Sequence, residues 1–123
     1  MRRTLTFLIV LSLTLVLAGC RAPVTDEPSG DADVTIEISA SNYAYAPEVI
    51  RVQNGQIVRI ELSVVQGNHD WVVDEFDAAT QVVTAGRTTA VEFWADQSGE
   101  FEFYCSVSAH RALGMVGTLI VED

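Results

Sequence analysis

Residues 100–122 read EFEFYCSVSAHRALGMVGTLIVE. The stretch opens with Phe101 and Phe103 alternating against Glu100 and Glu102, and it closes on the apolar, β-branched run VGTLIV. Both halves carry the period of two expected of a strand with one buried face. Between them Cys105, His110 and Met115 stand five residues apart, in a sequence that holds only two cysteines, two histidines and two methionines. On an α-helix, steps of five turn the side chain by about 140° each, so the three would fan around the axis. On a single strand they would alternate faces. A loop that folds back between two strands is the arrangement that brings them together.

Working outward, the same period runs through VTIEIS (34–39), EVIRV (48–52), QIVRIEL (56–62) and TTAVEFWA (88–95), with turn signals at Pro47, Asn54-Gly55, Ala85-Gly86 and Ser98-Gly99. No stretch has convincing helical periodicity. The pattern predicts an all-β domain: a Greek-key β-sandwich of about seven or eight short antiparallel strands. Ile36, Ile38, Val49, Ile57, Val58, Ile60, Val72, Val91, Phe93, Phe101, Phe103, Leu119 and Val121 are its expected core, with Trp71 and Trp94 read as core aromatics. Repeats and low-complexity tracts are absent.

The N-terminal stretch MRRTLTFLIVLSLTLVLAGC has a basic start, an apolar run over Leu5–Leu17 and small residues before Cys20, the layout of an export signal. That run is shorter than the roughly 20 residues a spanning helix needs. LAGC resembles the lipobox of prokaryotic lipoproteins, which implies that Cys20 is lipidated and becomes the new N-terminus. An uncleaved anchor is the competing reading, and either one holds the domain at a membrane. Residues 21–33, rich in Pro, Asp, Gly and Ser, read as a flexible tether with a reach of roughly 20 Å. The expected organisation is a signal peptide over 1–19, lipidated Cys20 and tether over 20–33, and a folded domain over 34–123.

The chain has seventeen acidic side chains against seven arginines and no lysine, and cleavage before Cys20 removes Arg2 and Arg3. So acidic a domain is a poor ligand for nucleic acid or anionic membrane; it suits solubility or steering toward a basic surface. With Cys20 assigned to lipid, Cys105 has no disulfide partner. It is then inert, reactive or a metal ligand.

Three donors leave a four-coordinate site one short. His69, in QGNHDWVVDEF (66–76), is the only other histidine, and two loops at one end of a sandwich would bring it to the others. Thiolate and imidazole alone suit zinc, but a thioether is a soft ligand that favours Cu(I). Two imidazoles and a thiolate in a near-trigonal plane with a weak axial Met is the blue-copper arrangement. Such a site holds one copper per chain, cycling between Cu(I) and Cu(II), and leaves no open position for a substrate. The competing reading is a chance grouping of core residues.

At these residues the sequence resembles the cupredoxins, in particular the small plastocyanin and azurin group of type 1 copper proteins. The resemblance spans Val34–Asp123 and rests on YAPEVIRVQNGQIVRIEL, NHDWVVDEF and AGRTTAVEFWADQSGEFEFYCSVSAHRALGMVGTLIV. It implies that His69, Cys105 and His110 bind copper in the plane and Met115 axially, with the Asn68 backbone carbonyl approaching the metal. It implies that Asp70, where an asparagine is common, bonds the cysteine loop near Ser106. Four residues separate Cys105 from His110 and four separate His110 from Met115, against two in the first gap of plastocyanin and three in the second of azurin, so the subgroup stays open. A dinuclear copper centre needs a second cysteine in the loop, and there is none.

The resemblance further implies electron entry and exit through His110, inside an apolar patch formed by Ala109, Ala112, Leu113 and Gly114 where redox protein partners dock. Arg111 is expected to point outward, toward an acidic partner, while Asp74, Glu75 and Asp77 form an acidic cluster suited to a basic one. The expected function is a monomeric, lipid-anchored electron carrier facing the periplasm or the cell exterior, not an enzyme. The alternative is a copper storage or delivery protein of the same fold.

Overall fold

Charged side chains set the phase of two strands. In VIRVQ and IVRIEL, Arg51, Arg59 and Glu61 cannot enter a core unpaired, so the residues between them turn inward: Ile50 and Val52 in one, Val58, Ile60 and Leu62 in the other, all buried. Val49 and Ile57, expected inside, share the outer faces with the arginines and are 51% and 38% exposed. An adjacent apolar pair satisfies alternation in either phase, and the arginine two residues on decides it.

The computed structural model describes residues 31–123. The signal segment 1–19, Cys20 and the tether up to residue 30 lie outside the described residues. In chain order the strands are β1 (Val34–Ser41), β2 (Ala44–Ala46), β3 (Val49–Gln53), β4 (Ile57–Val64), β5 (Asn68–His69), β6 (Val72–Val73), β7 (Ala78–Ala79), β8 (Val83–Thr84), β9 (Thr88–Trp94), β10 (Gly99–Tyr104) and β11 (Val116–Glu122). One 3-10 turn, Asp74–Phe76, interrupts them. The count exceeds the expected seven or eight because four of the strands are two-residue pairings too short to show a period.

One sheet has the order β2-β1-β4-β9 and the other β3-β11-β10-β6-β7, with β5 and β8 forming a separate ribbon. The chain crosses between the two sheets from β2 to β3, from β3 to β4 and from β9 to β10, as a Greek-key sandwich requires. The strands were expected to be antiparallel throughout. Two pairings are parallel instead, β1 with β4 and β3 with β11. Each joins segments whose connection passes through the opposite sheet, so no hairpin turn announces them in sequence.

The core lies between the sheets. Trp71 and Phe103 are fully buried and pack 5.4 Å apart, and Trp71 stacks on Phe93 at 5.9 Å. Phe76 bridges Phe93 and Phe101. Trp94 is not a core residue: it lies on the outer face opposite Ile57, is 62% exposed, and donates its ring N–H to the Gly55 carbonyl at 3.2 Å.

The sandwich has two distinct ends. Asp33 exchanges hydrogen bonds with Ile57, its amide donating to the Ile57 carbonyl and its carboxylate accepting the Ile57 amide. The chain therefore enters the domain beside the start of β4. Ser41, Val64 and Tyr104, the far ends of their strands, point to the other end, where the connections of residues 65–69 and 105–115 gather.

Candidate metal centre

β10 and β11 pair up to Tyr104 and Val116. The next residue of one strand, Cys105, therefore meets the last residue before the other, Met115, across the mouth of the hairpin, and the Cys105 amide donates to the Met115 carbonyl at 3.2 Å. Residues 106–114 coil above that mouth. The His110 amide donates to the Val107 carbonyl, that of Leu113 to Ala109, and that of Met115 back to His110, each at 3.0 Å. These bonds satisfy a loop that has no strand partner, and they fold His110 back toward Cys105.

His69 comes from the other connection. The pair of Val72 with Tyr104 docks β6 on β10, and β5 aligns His69 opposite Val83. The preceding Gly67 has φ 82°, and a side chain there would collide with the Asn42 amide oxygen and lie 2.9 Å from His69 Nε2. Only glycine admits both the backbone conformation and the approach.

Three donor atoms converge as a result. His69 Nδ1 and His110 Nδ1 are 3.2 Å apart, and Cys105 Sγ lies 3.7 Å from the first and 3.4 Å from the second. A circle through three atoms so separated has a radius of about 2.0 Å, which matches metal to imidazole bonds of about 2.0–2.1 Å and approaches the roughly 2.3 Å of a metal to thiolate bond. Among the described residues this is the group of His, Cys and acidic side chains able to hold an ion. His69, Cys105 and Met115 are fully buried, and His110 alone of the four reaches the surface.

The surroundings prepare the donors. His69 Nε2 donates to the Gln66 carbonyl at 2.8 Å, which leaves Nδ1 as the lone-pair nitrogen aimed at the other two donors. Burial lowers the His69 pKa, and the neighbouring His110 lowers it further, so the neutral ring is favoured. Burial pushes the Cys105 thiol up, opposed by hydrogen bonds from the backbone of Asp70 and Val107 to the sulfur. A metal entering here must displace a proton from sulfur.

Behind the thiol, the Asp70 carboxylate accepts the Ser106 amide at 2.7 Å and the Ser106 hydroxyl at 2.5 Å, the bond to the cysteine loop that the resemblance implied. The Tyr45 hydroxyl donates to the Asp70 carbonyl at 2.5 Å. Tyr45 is buried, and desolvation, followed by the nearby Cys105 and Asp70, raises its pKa. Asn68 is exposed at the edge of β5, opposite Thr84.

A family model described as a cupredoxin-like domain matches residues 7–121. The chain belongs to the cupredoxin family. It is 30% identical over 122 residues to a plastocyanin of Prochlorothrix hollandica, covering 92% of this chain and 90% of that one. Among solved structures it is similar to auracyanin A, titled a "blue" copper protein from the green thermophilic photosynthetic bacterium Chloroflexus aurantiacus: TM-score 0.65, 22% identity, 72% of this chain and 98% of that one. It is also similar to the dithionite-reduced auracyanin of Roseiflexus castenholzii, with TM-score 0.66, 24% identity, and coverage of 75% of this chain and 99% of that one. In this cupredoxin His69, Cys105, His110 and Met115 are positioned as a blue copper site.

Around His110 the cupredoxin exposes Ala109, Ala112, Leu113 and Gly114, with Leu113 at 57%. Tyr43, which the sequence did not single out, packs its ring 4.8 Å from that of His110 and is itself 43% exposed. It belongs to the short turn between β1 and β2, and nothing in its local sequence says that this turn reaches the loop of β10 and β11. Arg111 points away from the apolar patch. Its guanidinium lies 3.8 Å over the Tyr104 ring and donates to Glu102 at 2.8 and 2.5 Å, so its charge already has an acid within the chain. Tyr104 in turn donates to Asp74 at 2.9 Å, which engages one member of the acidic cluster.

Proposed function

We propose that this cupredoxin is a mononuclear type 1 copper protein that carries single electrons between redox proteins, tethered through lipidated Cys20 to the outer side of the cytoplasmic membrane. The convergence of two imidazole nitrogens and one thiol sulfur on a point about 2.0 Å from each carries the reading. Copper bound there supplies a one-electron couple. His69, Cys105 and His110 would hold it, with the buried Met115 thioether as the fourth ligand and the Asn68 carbonyl as the weak fifth candidate. Gln66 and the coiled loop orient the imidazoles, and the enclosing core excludes water and substrate.

Both histidines of the sequence are used by this site, so none is left for a second, catalytic metal. That supports a carrier over an enzyme. His110, half-buried among Tyr43, Ala112 and Leu113, is the point where a partner approaches most closely, and an apolar rim allows brief docking without a fixed ion pair. Asp33 joins the domain at the opposite end, so a flexible tether attached there leaves the His110 end clear of the attachment point. Among the described residues no helix is long and apolar enough to cross a membrane.

The experiment is the visible absorption spectrum of the protein with one equivalent of Cu(II), beside Cys105→Ser. An intense thiolate-to-copper band, bleached by ascorbate and missing in the variant, is the expected result. Copper bound without that band, and passed readily to a chelator, would favour storage or delivery instead.

A further inference from the structure

We propose that Asp70 is a positioning residue whose buried negative charge, held against the cysteine loop, biases the site toward its oxidised state and gives this cupredoxin a low reduction potential. The inference rests on the copper reading above. Asp70 is 4% exposed, follows the candidate ligand His69 directly, and spends both carboxylate oxygens on the residue after Cys105. Both bonds are received: the Ser106 amide and the Ser106 hydroxyl are the donors. Among the described residues no cationic side chain forms an ion pair with it, the arginine pairs being those of Arg51, Arg59 and Arg111.

A buried charge without a counter-ion is unfavourable. Here the nearest place for a compensating cation is the metal centre itself. A doubly charged ion compensates more than a singly charged one, because the attraction scales with the product of charges and is only weakly screened away from water. The carboxylate therefore discriminates between the two oxidation states, which an amide of the same shape would do far less. Holding the loop needs only acceptors and donors of the right geometry. The charge is what adds a preference.

Asp70→Asn separates the two roles. Its amide oxygen accepts the Ser106 amide, its NH2 group donates to the Ser106 hydroxyl, and only the charge is lost. The reduction potential of the copper-loaded protein is read at one fixed pH by spectroelectrochemistry, together with Cu(II) and Cu(I) affinities from competition with chelators. The expected result is a potential raised by 59 mV or more, the one-electron equivalent of a tenfold shift in the affinity ratio, with the loss falling on Cu(II).

Ser106→Ala is the companion variant. It strips one donor from the carboxylate, leaving its charge less compensated, so its potential is expected to move down. A D70N potential equal to the wild-type value, or the two variants moving in the same direction, would overturn the proposal while the thiolate-to-copper band in the wild type keeps the copper reading intact. A wild type without that band would remove both.

Discussion

His69 and Cys105 pull the metal-free protein in opposite directions on the pH scale. The folded-state pKa of His69 lies below its ordinary 6.5, so between those two values the unfolded chain binds more protons than the native one, and stability falls as pH drops through that window. The Cys105 thiol lies above its ordinary 9.0, so the native state holds its proton longer, and stability is lost as pH climbs from 9.0 through the raised value. The contribution of this pair is therefore fully present between about 6.5 and 9. Thermal unfolding of the metal-free protein across pH should show both limbs. His69→Gln should flatten the acidic limb and Cys105→Ala the alkaline one, each leaving the other in place; an acidic limb unchanged in His69→Gln would assign it to carboxylates instead.

Among the elements, the hairpin of β10 and β11 sets the spacing of the site, and one contact within it is unusually intolerant. Gly117 faces Phe103 in register, and a Cβ there would collide with the Phe103 ring and stand 2.6 Å from the Glu48 carbonyl. The ring fills the volume that the glycine leaves. Gly117→Ala forces Phe103 or the backbone of β11 to move, at a cost of about 1–3 kcal/mol, and because Met115 lies two residues upstream the shift reaches the metal loop. A lowered denaturant midpoint with faster loss of copper to a chelator is the expected outcome; an unchanged midpoint would show that the hairpin absorbs the methyl group.

The hairpin was legible because alternation in EFEFY and VGTLIV is local, and the ligand grouping was legible because it depends on few residues of distinctive chemistry. The pairings of β1 with β4 and of β3 with β11 were not, since parallel neighbours leave no turn signature. Val49, Ile57 and Trp94 looked like core because a short run of apolar residues fits either face until its charged neighbours are weighed. Tyr43 and Tyr45 were invisible as site residues: one meets His110 at the surface and the other meets Asp70 from inside the sandwich, over distances in sequence that no local pattern spans.

At the scale of the molecule, a buried thiol that has no disulfide partner among the described residues, a core and a metal loop share one small sandwich. The same loop that presents His110 is pinned at its flank by Arg111 on Tyr104 and Glu102, so the surface around His110 is apolar in front and ionic at its side. The two tryptophans divide between enclosure and solvent, Trp71 at 0% exposure and Trp94 at 62%. Their emission should accordingly resolve into two signals. Trp71 contributes a short-wavelength component that acrylamide does not reach, and Trp94 a long-wavelength one that it quenches freely. Trp94→Phe should remove only the quenchable part, and a residual signal still open to acrylamide would mean that the sandwich breathes. A single fluorescence titration thus reports separately on the tightness of the interior and on whatever comes to cover the outer face.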